Sequence, residues 1–199
     1  MRAKKGQALP KGRKKGTKNQ VGDKKPNETA SFRAFNTLFS KAMNGIRRLL
    51  TDIKLTHLVA DSAYSSLDYL SVAQSYKCFL ISVLKNTAAL FAIAPKIEGK
   101  KGRPRKYGKQ YDLKNLPLTY LKKTNILDNC KEEIFQFQAY SKTIGGLLLN
   151  IVVIKMTNLN TNKTAVKVFF SNDLKLDWET LLDYYALRFQ IEFDFSDAK

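Results

Sequence analysis

The stretch KLTHLVADSAYSSLDYLSVAQSYKCFLISVL, residues 54–84, carries the clearest fold pattern in this chain of 199 residues. Its apolar start, 54–60, predicts a short strand that ends at Asp61. LDYLSVAQSY predicts a helix over about 65–76. The unbroken apolar run 78–84 is typical of a strand covered on both faces. Strand, helix and strand joined by short links predict a parallel α/β unit.

The chain on either side of this unit has other patterns. Glycine and proline interrupt residues 1–27, which predicts a flexible basic arm. Apolar residues at helical spacing then predict an amphipathic helix over about 28–52. Farther on, apolar runs separated by turn residues predict a β-meander over roughly 132–171. A last helix is expected over 178–198, with Asp177 as its cap.

Positive charge is concentrated in two segments. The chain has 35 lysines and arginines against 17 acidic residues, which gives a net charge of +18. Residues 1–25 contain ten basic residues and one acid, and residues 96–109 contain seven and one. Two basic segments on a nearly neutral body indicate a polyanionic partner.

Composition also excludes several kinds of site. The single histidine, His57, excludes a site with several imidazoles, and Cys78 and Cys130 lack metal-site spacing. No apolar segment has the length of a membrane span, and none follows the basic start as in a secretion signal. We therefore expect a reduced, cytoplasmic protein with no membrane partner.

Two acidic residues occupy positions that suit metal-binding carboxylates. Asp61 follows a strand directly, at the edge where parallel sheets bind ligands. Glu192 shares a helical stripe about 60° wide with Tyr185, Arg188 and Lys199. Two carboxylates can hold Mg²⁺ together with substrate phosphates, and the two cations would then contact phosphate. The same residues also suit a loop acid and an ordinary surface ion pair.

Neighbouring residues are expected to support this arrangement. Leu187 and Ile191 fall on other sides of the last helix and are expected to pack. His57 shares the face of Asp61 by the two-residue period of a strand. We expect it to be a core or supporting histidine and not a metal ligand.

The spacing Y-x2-R-x3-E-x6-K over residues 185–199 resembles the signature of the Y-R-E-K subgroup of DDE-type transposases from bacterial insertion sequences. The longer string LLDYYALRFQIEFDFSDAK is similar to that family throughout. KKGRPRKYGKQYDLKNLP, VFFSNDL and HLVADSAYSSLDYL extend the resemblance to essentially the whole chain.

This resemblance implies a role for each residue of the signature. Asp61 is the second and Glu192 the third carboxylate of a catalytic triad that binds Mg²⁺, or Mn²⁺ in its place. Tyr185, Arg188 and Lys199 bind the phosphate backbone near the transposon end.

The implied fold is α/β and ribonuclease H-like. A mostly antiparallel β insertion, about 86–175, lies between the last core strand and the glutamate helix, within one domain over 28–199. This chain departs from the family pattern because only Asp23 and Asp52 precede Asp61, and neither follows a predicted strand. We therefore expect the C-terminal part of a transposase, with a partial fold and no first catalytic aspartate.

KKGRPRK, residues 100–106, is a further candidate DNA contact. Glycine-arginine-proline between basic residues resembles an AT-hook, which inserts arginine into the A·T minor groove. The alternative is a loop that contacts phosphates without entering a groove. The candidate contacts are Lys101, Arg103, Arg105 and Lys106. The arm over 1–25 either contacts DNA or is a solvated tail.

Three functions follow from this sequence. The first is a DNA transposase fragment that binds double-stranded transposon ends at the nucleoid, alone inactive, with a homo-oligomer or a full-length transposase as partner. The second is a non-catalytic DNA-binding module or an inhibitor of a full-length transposase. The third is an intact metal nuclease with a further acid that the pattern does not identify.

Overall fold

The structure, a computed structural model, describes residues 30–49, 51, 54–95 and 105–197, without the side chains of 31 and 190–197. The chain divides into two compact units, 1–45 and 46–199. The first unit is described over 30–45, where helix α1 carries Phe35 stacked on Phe39 at 5.5 Å. The predicted basic arm, 1–27, lies outside the described residues.

The described residues contain three α-helices and eight strands. The helices are α1 (Ala30–Leu49), α2 (Leu67–Ser75) and α3 (Trp178–Asp197). The strands are β1 (His57–Val59), β2 (Phe79–Leu84), β3 (Leu90–Ile93), β4 (Tyr107–Gln110), β5 (Leu121–Leu127), β6 (Cys130–Ser141), β7 (Leu147–Asn158) and β8 (Thr164–Ser171). No helix in this part of the chain combines the length and apolar character needed to cross a membrane.

The predicted parallel α/β unit is confirmed. β1 pairs with β2 in parallel, with Val59 opposite Ile81, and α2 connects the two strands. β1 ends early because the carboxylate of Asp61 caps a 3₁₀ turn over residues 62–64. Ser66 precedes α2 at the N-cap position, but its side chain makes no capping hydrogen bond.

A single sheet joins this unit to the predicted meander. The meander is confirmed as β6, β7 and β8, and its last strand pairs antiparallel with β2, placing Ile81 opposite Ser171. The full order is β1-β2-β8-β7-β6-β3-β4, with β5 also paired to β6. The sheet is therefore mixed and mostly antiparallel, and the strands after residue 86 extend the α/β unit instead of forming a separate layer.

Each face of the sheet buries its own apolar cluster. α2 covers one face, where Leu70 packs with Leu80 and Phe170. α3 covers the other, where Leu181 packs with Ile81 and Phe169. Adjacent residues of β8 thus serve opposite cores, as the two-residue period of a strand requires.

The predicted loop around KKGRPRKYGK is shorter than expected. Tyr107–Gln110 forms β4, which pairs with β3. Gly108 suits this pairing because a Cβ there would lie 3.0 Å from the carbonyl oxygen of Ile93. β3 and β5 also fall outside the predicted meander, because their short runs show no clear alternation and are specified by pairing with β6.

Cys78 is a core residue. Its thiol is buried beside the first residue of β2. Burial raises the pKa of this thiol, and the nearby Arg47 opposes that effect. A thiol of this kind packs as a small apolar group.

Candidate functional site

Asp61 lies at the carboxyl end of β1, on an exposed edge of the sheet. Its Oδ1 accepts a hydrogen bond from the backbone N–H of Ser62 at 2.7 Å. Its carbonyl oxygen accepts one from the hydroxyl of Ser82 on β2 at 2.9 Å. These two contacts fix the backbone of Asp61 and leave its second carboxylate oxygen free of any described intramolecular hydrogen bond.

The start of α3 is held by amide side chains that rise from the sheet. Asn150, which is 1% exposed, donates to the carbonyl oxygens of Asp173 at 3.2 Å and Leu176 at 2.7 Å. Gln136 donates to the Leu176 carbonyl at 2.9 Å and to Oδ1 of Asn150 at 3.1 Å. Asp177 then caps the helix by accepting from the N–H of Glu179 at 3.0 Å, as predicted.

Farther along α3, an aromatic contact joins the helix to β8. The Tyr185 ring packs edge-on against Phe169, with ring centroids 5.0 Å apart. The Arg188 guanidinium lies 5.6 Å from the centre of the Tyr185 ring, and the Lys167 ammonium lies 5.5 Å from it. Two cations from different elements therefore lie at one buried tyrosine.

His57 links the strand that bears Asp61 to the helix that bears Glu192. Its ring centroid lies 5.3 Å from that of Tyr184 on α3. Its Nε2 is 3.4 Å from Oδ2 of Asp173, outside hydrogen-bond geometry. The predicted supporting role of His57 agrees with these contacts.

The two faces of α3 differ from the prediction at two residues. Tyr185, expected on a polar stripe, is only 5% exposed and belongs to the core. Leu187, expected to pack, is 51% exposed, so that prediction is wrong. Helix α3 packs across the sheet, and the side of the helix that faces the sheet carries Tyr185. Helical periodicity alone could not identify that side.

The structure describes some of the other predicted site residues and not others. Glu192 lies within α3, but its side chain is outside the described part. Lys101, Arg103 and Lys199 also lie outside the described residues. Arg105 and Lys106 are exposed immediately before β4. The structure thus brings Tyr185 and Arg188 together and leaves the pairing of Asp61 with Glu192 as a prediction.

Oxygen ligands are present for a hard divalent cation, but no complete ligand cluster is described. Among the described residues, no group of three histidine, cysteine or acidic side chains could hold a metal ion. The exposed Asp61 carboxylate suits Mg²⁺, which uses one or two protein carboxylates and fills its other positions with water or phosphate.

A family model described as "Transposase DDE domain" matches residues 18–199. The chain belongs to the transposase DDE domain family. This match covers most of the chain, including Asp61, α3 and the whole described sheet. A sequence search of curated proteins found no match.

Membership gives the transposase domain a general role in DNA transposition and recombination, with DNA as its general partner. Domains of this family typically use a divalent metal ion. The mixed α/β architecture described above agrees with an α/β transposase domain.

Lys167 is a candidate site residue of the transposase domain that sequence reasoning missed. The only local signal is the alternation in TAVKVFF, which turns Lys167 to the same face as Phe169. Its position beside Tyr185 depends on α3 packing against β8. That contact joins segments about twenty residues apart and has no sequence motif of its own.

Proposed function

We propose that this chain is a DNA transposase fragment that binds double-stranded transposon ends. The observation that carries this proposal is the position of Asp61 at the end of a parallel strand, with α3 packed across the same sheet. The family match supports the proposal independently of that geometry. The β1–α2–β2 unit would be part of a ribonuclease H-like fold, within a domain over 28–199 whose insertion spans about 86–175.

In this proposal Asp61 and Glu192 hold Mg²⁺, or Mn²⁺ in its place. The ion would stabilise charge on the oxygens of a phosphodiester during cleavage and strand transfer. Arg188 and Lys199 bind the phosphate backbone. Tyr185 acts through its hydroxyl, because its ring is packed on Phe169.

We propose further that these 199 residues alone do not cut DNA. The aspartates before Asp61 are Asp23 and Asp52, and neither follows a predicted strand. Two carboxylates give an incomplete triad, which a partner such as a full-length transposase would complete. The proposed place of action is the cytoplasm, at the nucleoid.

The cations at Tyr185 also support a second function, a non-catalytic DNA-binding module or an inhibitor of a full-length transposase. Such a module needs the cationic surface but not the metal. Replacing Glu192 separates the two functions, because inhibition by DNA binding would survive the Glu192→Gln change.

The test measures duplex binding by fluorescence anisotropy with and without Mg²⁺. Without metal, Asp61→Asn and Glu192→Gln should bind duplex DNA more tightly than the unchanged chain, because each removes a negative charge near phosphate. Mg²⁺ should tighten binding by the unchanged chain and have little effect on either variant. Glu179→Gln, which removes an exposed acid at the other end of α3, is the matched control and should behave as the unchanged chain.

Two results would contradict parts of this proposal. An unchanged chain that fails to bind duplex DNA at low salt would remove the DNA-binding function. Mg²⁺-dependent nicking that Glu192→Gln abolishes would show that the polypeptide has a complete active site, which is the intact-nuclease alternative.

A further inference from the structure

A second cationic surface lies on the part of the sheet formed by β3, β4 and β6. Phe91, Tyr107 and Tyr140 come from these three neighbouring strands. The Tyr107 ring centroid lies 5.5 Å from that of Phe91 and 5.6 Å from that of Tyr140. The rings form one continuous aromatic surface, which is half-buried.

Two exposed lysines cover this aromatic surface. The ammonium of Lys142 is 4.4 Å from the centre of the Phe91 ring and 5.4 Å from that of Tyr107. The ammonium of Lys106 is 5.2 Å from the centre of Tyr140 and 5.7 Å from that of Tyr107. We call these two lysines and three rings the Lys106–Lys142 patch.

The backbone that carries Lys142 is fixed. In the connection from β6 to β7, the N–H of Gly146 donates to the carbonyl of Ser141 at 2.8 Å, and Ile144 is fully buried. Gly146 has φ +69°, and a Cβ there would overlap the Tyr107 hydroxyl oxygen. The turn and the aromatic surface are therefore packed directly against each other.

The charge of the patch has no acidic counterpart in the described part of the chain. The ion pairs described there involve His57, Lys131 and Lys155, and none includes Lys106 or Lys142. Both ammonium groups lie near Tyr107, so a partner that carries several negative charges would be attracted to both. Cation–π contacts hold the ammonium groups in place before any partner binds, which lowers the entropy lost on binding.

We propose that the Lys106–Lys142 patch binds the phosphate backbone of duplex DNA, away from the candidate carboxylates. This inference rests on the proposed function. It adds Lys142, which lies in the connection between β6 and β7, to the basic segment 96–109. The lysine ammonium groups lie over the rings, where an unpaired base would have to stack. A lysine is a point charge without the planar fork that reads base edges. The patch therefore contacts phosphates of a duplex, independently of sequence.

The test is a salt titration of the affinity for a mixed-sequence 30-base-pair duplex, about 100 Å long, with the 199-residue chain and its variants. Loss of one phosphate contact lowers the slope of log K against log[salt] by about 0.9. Lys142→Gln should show this decrease, and Lys106→Gln with Lys142→Gln should show about twice as much. The unchanged chain should bind more tightly than Lys142→Gln. The ratio of the two affinities should fall by about threefold as the salt concentration rises from 50 to 200 mM.

Lys163→Gln is the matched control, because Lys163 is an exposed lysine in the β7–β8 connection and changes the net charge equally. Lys142→Arg should keep the slope of the unchanged chain. Thermal unfolding of each variant shows whether the fold is retained. For unpaired DNA of the same length, Lys142→Gln should lower the salt slope no more than it does for the duplex.

Two outcomes would overturn the inference, and they differ from each other. If the unchanged chain binds duplex DNA and Lys142→Gln has the same slope as Lys163→Gln, the patch is not a DNA contact although the proposed function stands. If the unchanged chain does not bind duplex DNA at all, both proposals fall.

Discussion

Tyr185 shows how one residue can serve both the core and a surface site. Its ring is buried against Phe169, while Arg188 and Lys167 lie near the same ring from α3 and β8. A buried aromatic ring is rigid and orients cations through its negative face. The signature tyrosine is therefore expected to position neighbouring cations as much as to contact DNA itself.

Lys167 is expected to contribute to DNA binding as strongly as Arg188. Because its ammonium is exposed and held at the Tyr185 ring, Lys167→Gln should lower the salt slope of duplex affinity by about 0.9. Lys167→Arg should preserve the slope. A Lys167→Gln chain with an unchanged slope and an unchanged melting temperature would show that Lys167 only packs on the ring.

Glu133 gives a pH dependence of stability that can be assigned to one residue. The hydrogen bond from the Lys131 ammonium, at 2.8 Å, holds the pKa of this nearly buried carboxyl below its usual range. Burial opposes this effect, and Lys155 at 3.3 Å adds to it. A lowered pKa in the folded state means that the stabilisation is present above the unfolded pKa, near 4.3. It is lost as the pH falls through the lower folded value.

Glu133→Gln should therefore reduce the free energy of unfolding at pH 7 by about 1 kcal/mol. The difference between Glu133→Gln and the unchanged chain should disappear as the pH falls below about 4. Urea unfolding at several pH values measures both quantities. A difference that stays constant down to pH 3 would contradict the assignment.

At the scale of elements, the position of α3 depends on the loop that precedes it. Asn150 and Gln136 supply hydrogen bonds to the carbonyls of that loop, and Asp177 caps the helix. Buried amide groups that satisfy backbone carbonyls are costly to remove, because the carbonyls are then left without a partner. Side chains of β6 and β7 therefore fix the position of α3.

Asn150→Ala should destabilise the chain by about 2 kcal/mol, because the partly buried Asp173 carbonyl loses its hydrogen bond from Asn150. Hydrogen exchange should increase most in the peptide that covers the start of α3. Asn125→Ala is the control, since its exposed side chain makes only a 3.3 Å contact with Glu132. Equal exchange in α3 for the two variants would show that Asn150 does not hold the helix.

The elements themselves could be predicted from the sequence where their pattern is local. Residues 80–82 of the run 78–84 are buried on both faces as its apolar character indicated, although Phe79 is exposed, and Asp177 caps α3. The burial of Tyr185 and the exposure of Leu187 could not be predicted, because helical periodicity defines faces but not which one meets the sheet. The strands β3 and β5 were missed because pairing, and not local pattern, specifies them.

At the scale of the whole molecule, one sheet joins the α/β unit to the meander. The pairing of β8 with β2 connects segments more than eighty residues apart, and no local motif predicts it. The apolar pattern predicted the meander over 132–171 but did not indicate that its last strand would lie beside β2. The unit around Asp61 thus gains a neighbour on one side, while β1 ends the strand order on the other.

This shared sheet fixes the distance between its two edge strands, β1 and β4. Six steps between neighbouring strands separate β1 from β4, and at about 4.8 Å each they amount to at most on the order of 30 Å. Duplex DNA rises about 3.4 Å per base pair, so this span equals roughly nine base pairs. Because hydrogen-bonded strands cannot slide past one another, the separation of these two edges is fixed, and under both proposals the sheet width would set which stretch of a bound duplex faces Asp61.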